Sequence, residues 1–327
     1  ENPHFVKSAL SRFTPNDFIE RLDQHNIKYE EKLSGQMFCR GSSRSIIGML
    51  VNKCKHNGVS FLFNSTISSI QKTDCFAISV NNTNIESKSL VVATGGPSYP
   101  EIGGSDYGLN IAKQFEIGII EIRAALVPLI FNPKDTKHFS QLSGISFSGS
   151  VSCGKHSFLG DILFTHRGLT GPAILQISSY WRDGKTLLID IAPGKNIFSE
   201  ILEKRTFSGK MLLRTFFSQY IRKSFASTWC EKHGLTESLH SYSEKELQRI
   251  CSNLHKWKVV PAGTESYKRA HAMKGGVDTR EISSKTMESQ KVKDLYFIGE
   301  VLDVVGHLGG YNLQWAWSSG FAAGQCV

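Results

Sequence analysis

The sequence predicts an α/β fold interrupted by an insertion that is first β-rich and then helical. Three observations predict it. An apolar run of buried-strand type, Leu295–Ile298, leads through Gly306, Gly309 and Gly310 into a helical pattern that begins at Tyr311. A second apolar run, Leu90–Ala93, ends in Thr94-Gly95-Gly96, the kind of strand end where an open α/β sheet binds ligands. Between them the chain changes character near Leu126. It reads as strand-like and turn-rich to about Leu188, as helical after that, and returns through Met273-Lys-Gly-Gly-Val277.

Length and composition set the bounds. The 327 residues suffice for two domains and a large core. With 40% hydrophobic and 20% charged residues, the composition is that of an ordinary globular chain. No run approaches the roughly 18 apolar residues of a membrane span. The polar start Glu1-Asn-Pro-His-Phe5 does not read as a signal peptide. The seven cysteines are scattered without a Cys-x-x-Cys pair, which argues against a dithiol redox centre and against a metal site. Their irregular spacing fits a reducing, cytoplasmic setting. The net charge of +9 is concentrated. Residues 195–274 carry 15 Lys and Arg against 7 Asp and Glu, and the rest is close to neutral. Such a region suits nucleic acid or an acidic substrate, and equally a solvated helical surface.

In chain order, Thr14-Pro-Asn-Asp17 opens a helix with Thr as cap and Pro in the first turn. Phe18, Ile19 and Leu22 give it an apolar face. Ser42 or Ser43 caps a second helix carrying Ile46, Ile47, Leu50 and Val51, which stops by Gly58. Strands are expected at Val59–Phe63, Ile67–Gln71, Phe76–Val80 and Leu90–Ala93, with a turn at Asn81-Asn82. A helix should run from Gly103-Gly-Ser-Asp106 to about Phe115, followed by a strand at Gly118–Ile122. Helices are expected at Glu200–Glu203, Met211–Trp229 and Ser243–Leu254, with a strand again at Val259–Gly263. In the last helix Leu313, Ala316, Trp317 and Phe321 share a face.

The chemistry-bearing features lie at turns. A helix starting after two glycines presents free N–H groups and the positive end of its dipole, which suits a phosphate or a ring that becomes anionic on reduction. Glu300 and Asp303, just past the strand that ends near Gly299, could accept hydrogen bonds from sugar or polyol hydroxyls. A glycine loop that merely permits close strand–helix packing is the plainer reading. In Asp161-Ile-Leu-Phe-Thr-His-Arg-Gly-Leu-Thr-Gly-Pro172, His166 and Arg167 stand where a strand meets a glycine turn, a good place to aim polar groups.

Pro3-His-Phe with Thr14-Pro-x-Asp-Phe, Val91-Val-Ala-Thr-Gly-Gly-Pro-Ser-Tyr-Pro100, Leu163-Phe-Thr-His-Arg-Gly-Leu-Thr-Gly-Pro172, Gly275-Gly-Val with Thr286-Met-Glu-Ser, and the Leu295–Gly320 block together resemble the BaiN/YhiN-like flavoproteins. That family includes an aminoacetone oxidase, and the resemblance spans essentially the whole chain. It implies FAD held by a discontinuous Rossmann-like domain, residues 1–125 and 276–327. The inserted domain, 126–275, would be a β-barrel plus helices: β-rich over 126–194, helical and basic over 195–258, with return strands over 259–275. By position, Ile67 would meet the adenine through its backbone, and Ala93, Thr94 and Gly95 would line the dinucleotide path. Glu300 and Asp303 would lie near the ribityl–pyrophosphate stretch, and Gly309, Gly310, Tyr311, Asn312 and Leu313 would put amides at the N1/O2 side of the flavin. Family members begin with a Gly-x-Gly-x-x-Gly unit that this sequence does not show. The resemblance therefore also implies an N-terminally truncated domain lacking the main pyrophosphate cradle.

Three functions follow as expectations. The leading one is an FAD-dependent oxidoreductase moving a hydride between a small organic substrate and flavin N5, with His166 as a proton-transfer or orienting group and NAD(P)H or oxygen as redox partner. The second is a flavin-dependent protein acting on or binding RNA through the basic 195–274 region. The third is a catalytically inactive fragment.

Overall fold

The computed structural model describes residues 2–32, 35–81 and 83–327. Along the chain the helices are α1 (Lys7–Arg12), α2 (Pro15–Gln24), α3 (Arg44–His56), α4 (Tyr107–Gln114), α5 (Pro133–Phe139), α6 (Pro172–Ser178), α7 (Ile197–Ser208), α8 (Leu213–Phe217), α9 (Lys223–Lys232), α10 (Glu244–His255) and α11 (Tyr311–Gly324). The strands are β1 (Tyr29–Lys32), β2 (Gln36–Cys39), β3 (Ile67–Lys72), β4 (Phe76–Val80), β5 (Thr83–Ser87), β6 (Leu90–Val92), β7 (Ile119–Ala125), β8 (Leu129–Ile130), β9 (Ser146–Cys153), β10 (His156–Phe164), β11 (Gly168–Thr170), β12 (Leu187–Asp190), β13 (Trp257–Val259), β14 (Gly263–Thr264), β15 (Ala272–Val277) and β16 (Leu295–Phe297). The chain forms two compact units: Glu1–Gly96 with Gly104–Ile122 and Gly275–Val327, and Pro97–Gly103 with Arg123–Lys274. The strands that lead from one unit to the other, β7 and β15, pair with each other. Among the described residues no helix is long and apolar enough to cross a membrane.

In the first unit β6 and β16 pair in parallel, Leu295 opposite Leu90 and Phe297 opposite Val92. Buried Leu295, Tyr296, Phe297 and Val92 explain why these short runs are strands despite their length. The N-terminal helices pack on α11 through aromatic pairs: Phe5 with Trp315 at 5.9 Å, Phe13 with Phe321 at 5.2 Å and Phe18 stacked on Trp317 at 4.7 Å. Ser318 and Gln314 of α11 both donate to the carbonyl of Phe13, closing the end of α1. Strands β3, β4 and β5 form a separate antiparallel meander with β3 at its edge. Thr14 caps α2 as expected, and it forms a capping box with Asp17.

The second unit is built on a seven-stranded sheet in the order β13-β12-β9-β10-β11-β8-β14. Its two edge strands, β13 and β14, are neighbours in sequence. Four residue steps from Val259 to Gly263 reach at most about 14 Å, whereas the edges of a flat seven-stranded sheet would lie about 29 Å apart. The sheet must therefore curl strongly, with Pro261 in the short seam between its edges. Strand pairing among the described residues does not close it into the barrel expected from the resemblance. Helices α5 to α10 supply the rest of a core in which Phe139, Phe164, Phe225, Trp229 and Trp257 pack edge to face.

Several expectations fail for local reasons. Val59–Phe63 is no strand. It finds no pairing partner among the described residues, and Leu62 and Phe63 are 62% and 77% exposed. The long helix expected over Met211–Trp229 is two, α8 and α9, broken at Ser218–Arg222. Helices α5 and α6 interrupt the stretch expected to be strand-like, each starting with a proline in its first turn. Val259–Gly263 splits into β13 and β14 around Pro261. The turn at Asn81-Asn82 falls partly outside the described residues; Asn81 itself is left-handed, φ +47°. On α11 the buried stripe is Trp315, Ser318, Ser319, Ala322 and Ala323. Leu313 and Ala316 of the expected face are exposed, and Trp317 and Phe321 meet the N-terminal aromatics.

Two stability measurements follow. Phe164 is fully buried amid aromatic rings, so Phe164→Ala should lower the urea-unfolding free energy of the second unit by roughly 3–5 kcal/mol. In the first unit the Glu281 carboxylate accepts from the Gly118 amide at 2.8 Å and from Lys291 at 2.9 Å. These contacts, the amide first, hold its pKa below the ordinary 4.5. Its contribution is thus present above pH 4.5 and lost as pH falls through the lower folded value. Acid titration of stability should be shallower in Glu281→Gln than in the native protein; parallel curves would refute this.

Candidate functional site

Parallel pairing puts the carboxyl ends of β6 and β16 at the same end of their ladder. The amide of Ile298 donates to the carbonyl of Val92 at 3.1 Å. Beyond that bond the two chains continue as Ala93-Thr94-Gly95 and Gly299-Glu300. The two strand ends singled out in the sequence are therefore side by side. Gly108, in the first turn of α4, faces them: a Cβ there would collide with Thr94 Oγ1 and come within 2.9 Å of Val301 and 3.0 Å of Val92. The lack of a side chain at 108 is what lets α4 reach both strand ends.

Helix α11 is tied to the same place. The Trp315 indole donates to the carbonyl of Gly299 at 3.0 Å, and the Gly299 amide donates to Ser319 Oγ at 3.0 Å. The helix starts at Tyr311 after Gly309 and Gly310, whose φ values of +126° and +92° are open to glycine and strained for other residues. No side chain caps this start. Its first-turn amides, those of Tyr311, Asn312 and Leu313, have no acceptor within the helix. By contrast α2, α5, α7 and α10 are capped by Thr14, Asn132, Asn196 and Ser243. Tyr311 and Leu313 are 63% and 65% exposed, and nothing stands within 4 Å of where a Cβ on Gly310 would be. Asn312 closes the loop on itself, accepting from the Gly306 amide at 2.7 Å and donating to the Gly306 carbonyl at 3.4 Å. The open, uncapped amide end fits a large cofactor with an electron-rich edge.

The other expected residues are distributed as follows. Asp303 sits by the same strand end, with one carboxylate oxygen accepting from the Gly275 amide at 3.1 Å. Glu300 follows Gly299 in a short 3-10 turn. Ile67 stands in a different sheet, at the start of edge strand β3, where an irregularity between Ile67 and Ser69 interrupts the ladder. His166 lies in the second unit, exposed at the tip of the β10–β11 hairpin. That tip is shaped by Thr165, whose hydroxyl accepts from the amides of Arg167 and Gly168, and Arg167 pairs with Glu265 at 3.1 Å. Burial pushes the thiols of Cys230 and Cys251 up to about 12, so neither is a thiolate at neutral pH. Among the described residues no cluster is arranged to hold a metal ion.

A family model described as "HI0933-like protein Rossmann domain" matches residues 1–326. The chain belongs to the HI0933-like family. The family resemblance drawn from the motifs thus holds. This HI0933-like chain is 44% identical over 331 residues to the ribosomal RNA dihydrouridine synthase of Haemophilus influenzae, across 98% of the chain and 82% of that protein. It is 40% identical to the ribosomal RNA dihydrouridine synthase of Escherichia coli K12, across 99% of the chain and 82% of that protein. It is 23% identical to the 3-dehydro-bile acid delta(4,6)-reductase of Clostridium scindens, across 100% and 83%.

Two features of this HI0933-like chain escaped the sequence reading. Gly108 has no flanking glycine to flag it. Tyr99 adopts a left-handed φ of +51°, and its hydroxyl lies 3.4 Å from His271 Nδ1. The His271 ring, exposed by area yet crowded by protein, is held below the ordinary imidazole range by desolvation. Its only sequence signal was the run Pro97-Ser98-Tyr99-Pro100, quoted above for another purpose.

The Asn312 staple gives a direct check. Asn312→Ala should speed hydrogen exchange at the Gly306 amide by about fivefold, the worth of one net hydrogen bond, read by mass spectrometry of a peptide spanning the loop. Unchanged exchange would mean that the loop is held by its backbone geometry alone.

Proposed function

We propose that this protein is an FAD-dependent reductase that converts uridine in ribosomal RNA to dihydrouridine. The observation that carries the cofactor is the uncapped start of α11 beside two parallel strand ends. What supports the substrate is the 44% and 40% identity to two proteins of that name, along nearly the whole chain. The basic 195–274 stretch supports it independently.

Dihydrouridine differs from uridine by two hydrogens across the C5–C6 bond, so the reaction adds a hydride and a proton to the base. FAD, once reduced, supplies the hydride. The amides of Tyr311, Asn312 and Leu313 would hold the electron-rich edge of its ring and favour negative charge there. Gly309 and Gly310 keep side chains out of that approach. Ala93, Thr94, Gly95 and Gly299 would line the dinucleotide with backbone, Glu300 and Asp303 would accept from its hydroxyls, and Ile67 would offer backbone to the adenine. His166 remains the candidate for orienting the base or moving the proton. The reading includes the cytoplasmic setting that the scattered cysteines suggest.

A second reading, reduction of a small organic molecule, draws on the 23% identity to a reductase. One assay separates the two. The purified protein, given FAD and a chemical reductant, is incubated with ribosomal RNA lacking dihydrouridine, and the nucleosides are quantified by mass spectrometry. Accumulating dihydrouridine is the expected result, and Gly310→Val should abolish both retained flavin absorbance and product. A protein that keeps flavin but never alters the RNA would sink the RNA reading and leave the small-molecule one. A protein that binds no flavin at all would sink both.

A further inference from the structure

The helical part of the second unit contains a groove whose lining includes no residue of the glycine loop. Helix α9 ends where Gly234 turns left-handed, φ +65°, and the Leu235 amide donates back to the carbonyl of Cys230 at 2.8 Å. This turn lays Leu235 against the helix it has just left. Helix α10 buries Leu247, Ile250, Cys251 and Leu254. Its exposed side carries Lys245, Arg249, Asn253 and Lys256, at spacings that form one stripe along the helix. Between the two helices lies a cavity of about 250 Å³ lined by Trp229, His233, Leu235, Arg249, Ile250 and Asn253.

Its chemistry is divided. Trp229, Leu235 and Ile250 are an apolar floor. His233, Arg249 and Asn253 are a polar rim, with the imidazole 4.6 Å from the indole, ring centre to ring centre. Burial, then the neighbouring Lys232 and His138, hold His233 below the ordinary imidazole range. A neutral ring both donates and accepts, as a base edge requires. The volume is below the 300–1,000 Å³ typical of drug-sized ligands, and suits one planar group. A free small anion would need a single cation, whereas the stripe on α10 repeats its positive charge along a line, as a phosphodiester chain does.

We propose that this groove is a nucleotide subsite for single-stranded RNA, taking one base between the two helices and the adjoining phosphates along Lys245, Arg249 and Lys256. It rests on the reading of RNA as substrate and adds where a further nucleotide of that RNA is held.

The test uses the full chain and a short fluorescein-labelled oligouridylate, followed by anisotropy over a range of salt concentrations. Arg249→Glu should weaken binding by roughly tenfold or more and lower the salt slope by about 0.7. Asn253→Trp, which fills the groove without changing charge, should weaken it by a similar factor while circular dichroism stays native. Lys268→Glu, an exposed residue outside the groove, makes the same charge change as Arg249→Glu and should cost about twofold at most. In the dihydrouridine assay Arg249→Glu should raise KM and leave kcat in place. If all three variants weaken binding alike, or if the two groove variants bind as the native protein does, the subsite is wrong although RNA remains the substrate. Displacement of the probe by polyglutamate but not by free uridylate would also overturn it, in favour of an acidic peptide. Native protein that binds no oligouridylate and makes no dihydrouridine would remove the subsite together with the substrate reading.

Discussion

The first unit depends on one short parallel ladder. β6 and β16 are three residues each, and they set Thr94-Gly95 beside Gly299-Glu300. A parallel pair cannot be joined by a tight turn, so the chain must leave and return. Here it returns after about two hundred residues, and the second unit is contained in that excursion. The cost of closing so long a connection rises only logarithmically with its length. It is lowered further because the strands that lead out and back, β7 and β15, pair with each other. A large insertion is therefore compatible with a precise strand junction.

The junction is useful because α11 leaves its amides open. Four other helices carry a Thr, Asn or Ser cap that accepts from their first turn. At α11 the capping position is Gly310, which has no side chain to offer. Unpaired helix amides cost free energy unless water or a ligand accepts from them. Meanwhile the body of the same helix is held firmly, by Trp315 and Ser319 to Gly299 and by Ser318 to Phe13. A rigid helix with an open positive end is a fixed electrostatic feature. It does not have to reorganise when negative charge develops beside it.

Much of this was legible in the sequence, and what failed did so for specific reasons. Leu295–Phe297 and Leu90–Val92 were readable because buried strands are continuously apolar. Thr14 announced its helix through capping chemistry. Val59–Phe63 has the composition of a strand, but composition cannot say whether a partner strand stands beside it. Met211–Trp229 has a helical pattern throughout, and the break at Ser218–Arg222 carries neither Gly nor Pro. On α11, reading Leu313 and Ala316 as core overlooked small polar residues: Ser318 and Ser319 are fully buried because their hydroxyls satisfy Phe13 and Gly299. The Tyr99–His271 contact joins residues 172 apart, beyond the reach of any local pattern.

Charge completes the picture. The proposed cradle from Gly309 to Leu313 would work through backbone dipoles and ask for little formal charge nearby. The excess of Lys and Arg over residues 195–274 lies in the second unit, outside the stretch that forms this cradle. Helices α9 and α10 contribute apolar residues to the core of the second unit, and among these cations Lys232 packs there too, paired with buried Asp135 and over the Phe139 ring. Fifteen cations against seven acids in 80 residues create self-repulsion that a folded surface tolerates best when a polyanion relieves it. Such a partner is attracted from beyond contact distance, and the attraction fades as salt shortens the Debye length to about 8 Å at physiological ionic strength. On the proposed reading the backbone-lined cradle and the cationic helices would divide the work by range: dipoles act within a helical turn, and net charge acts on a partner still in solution.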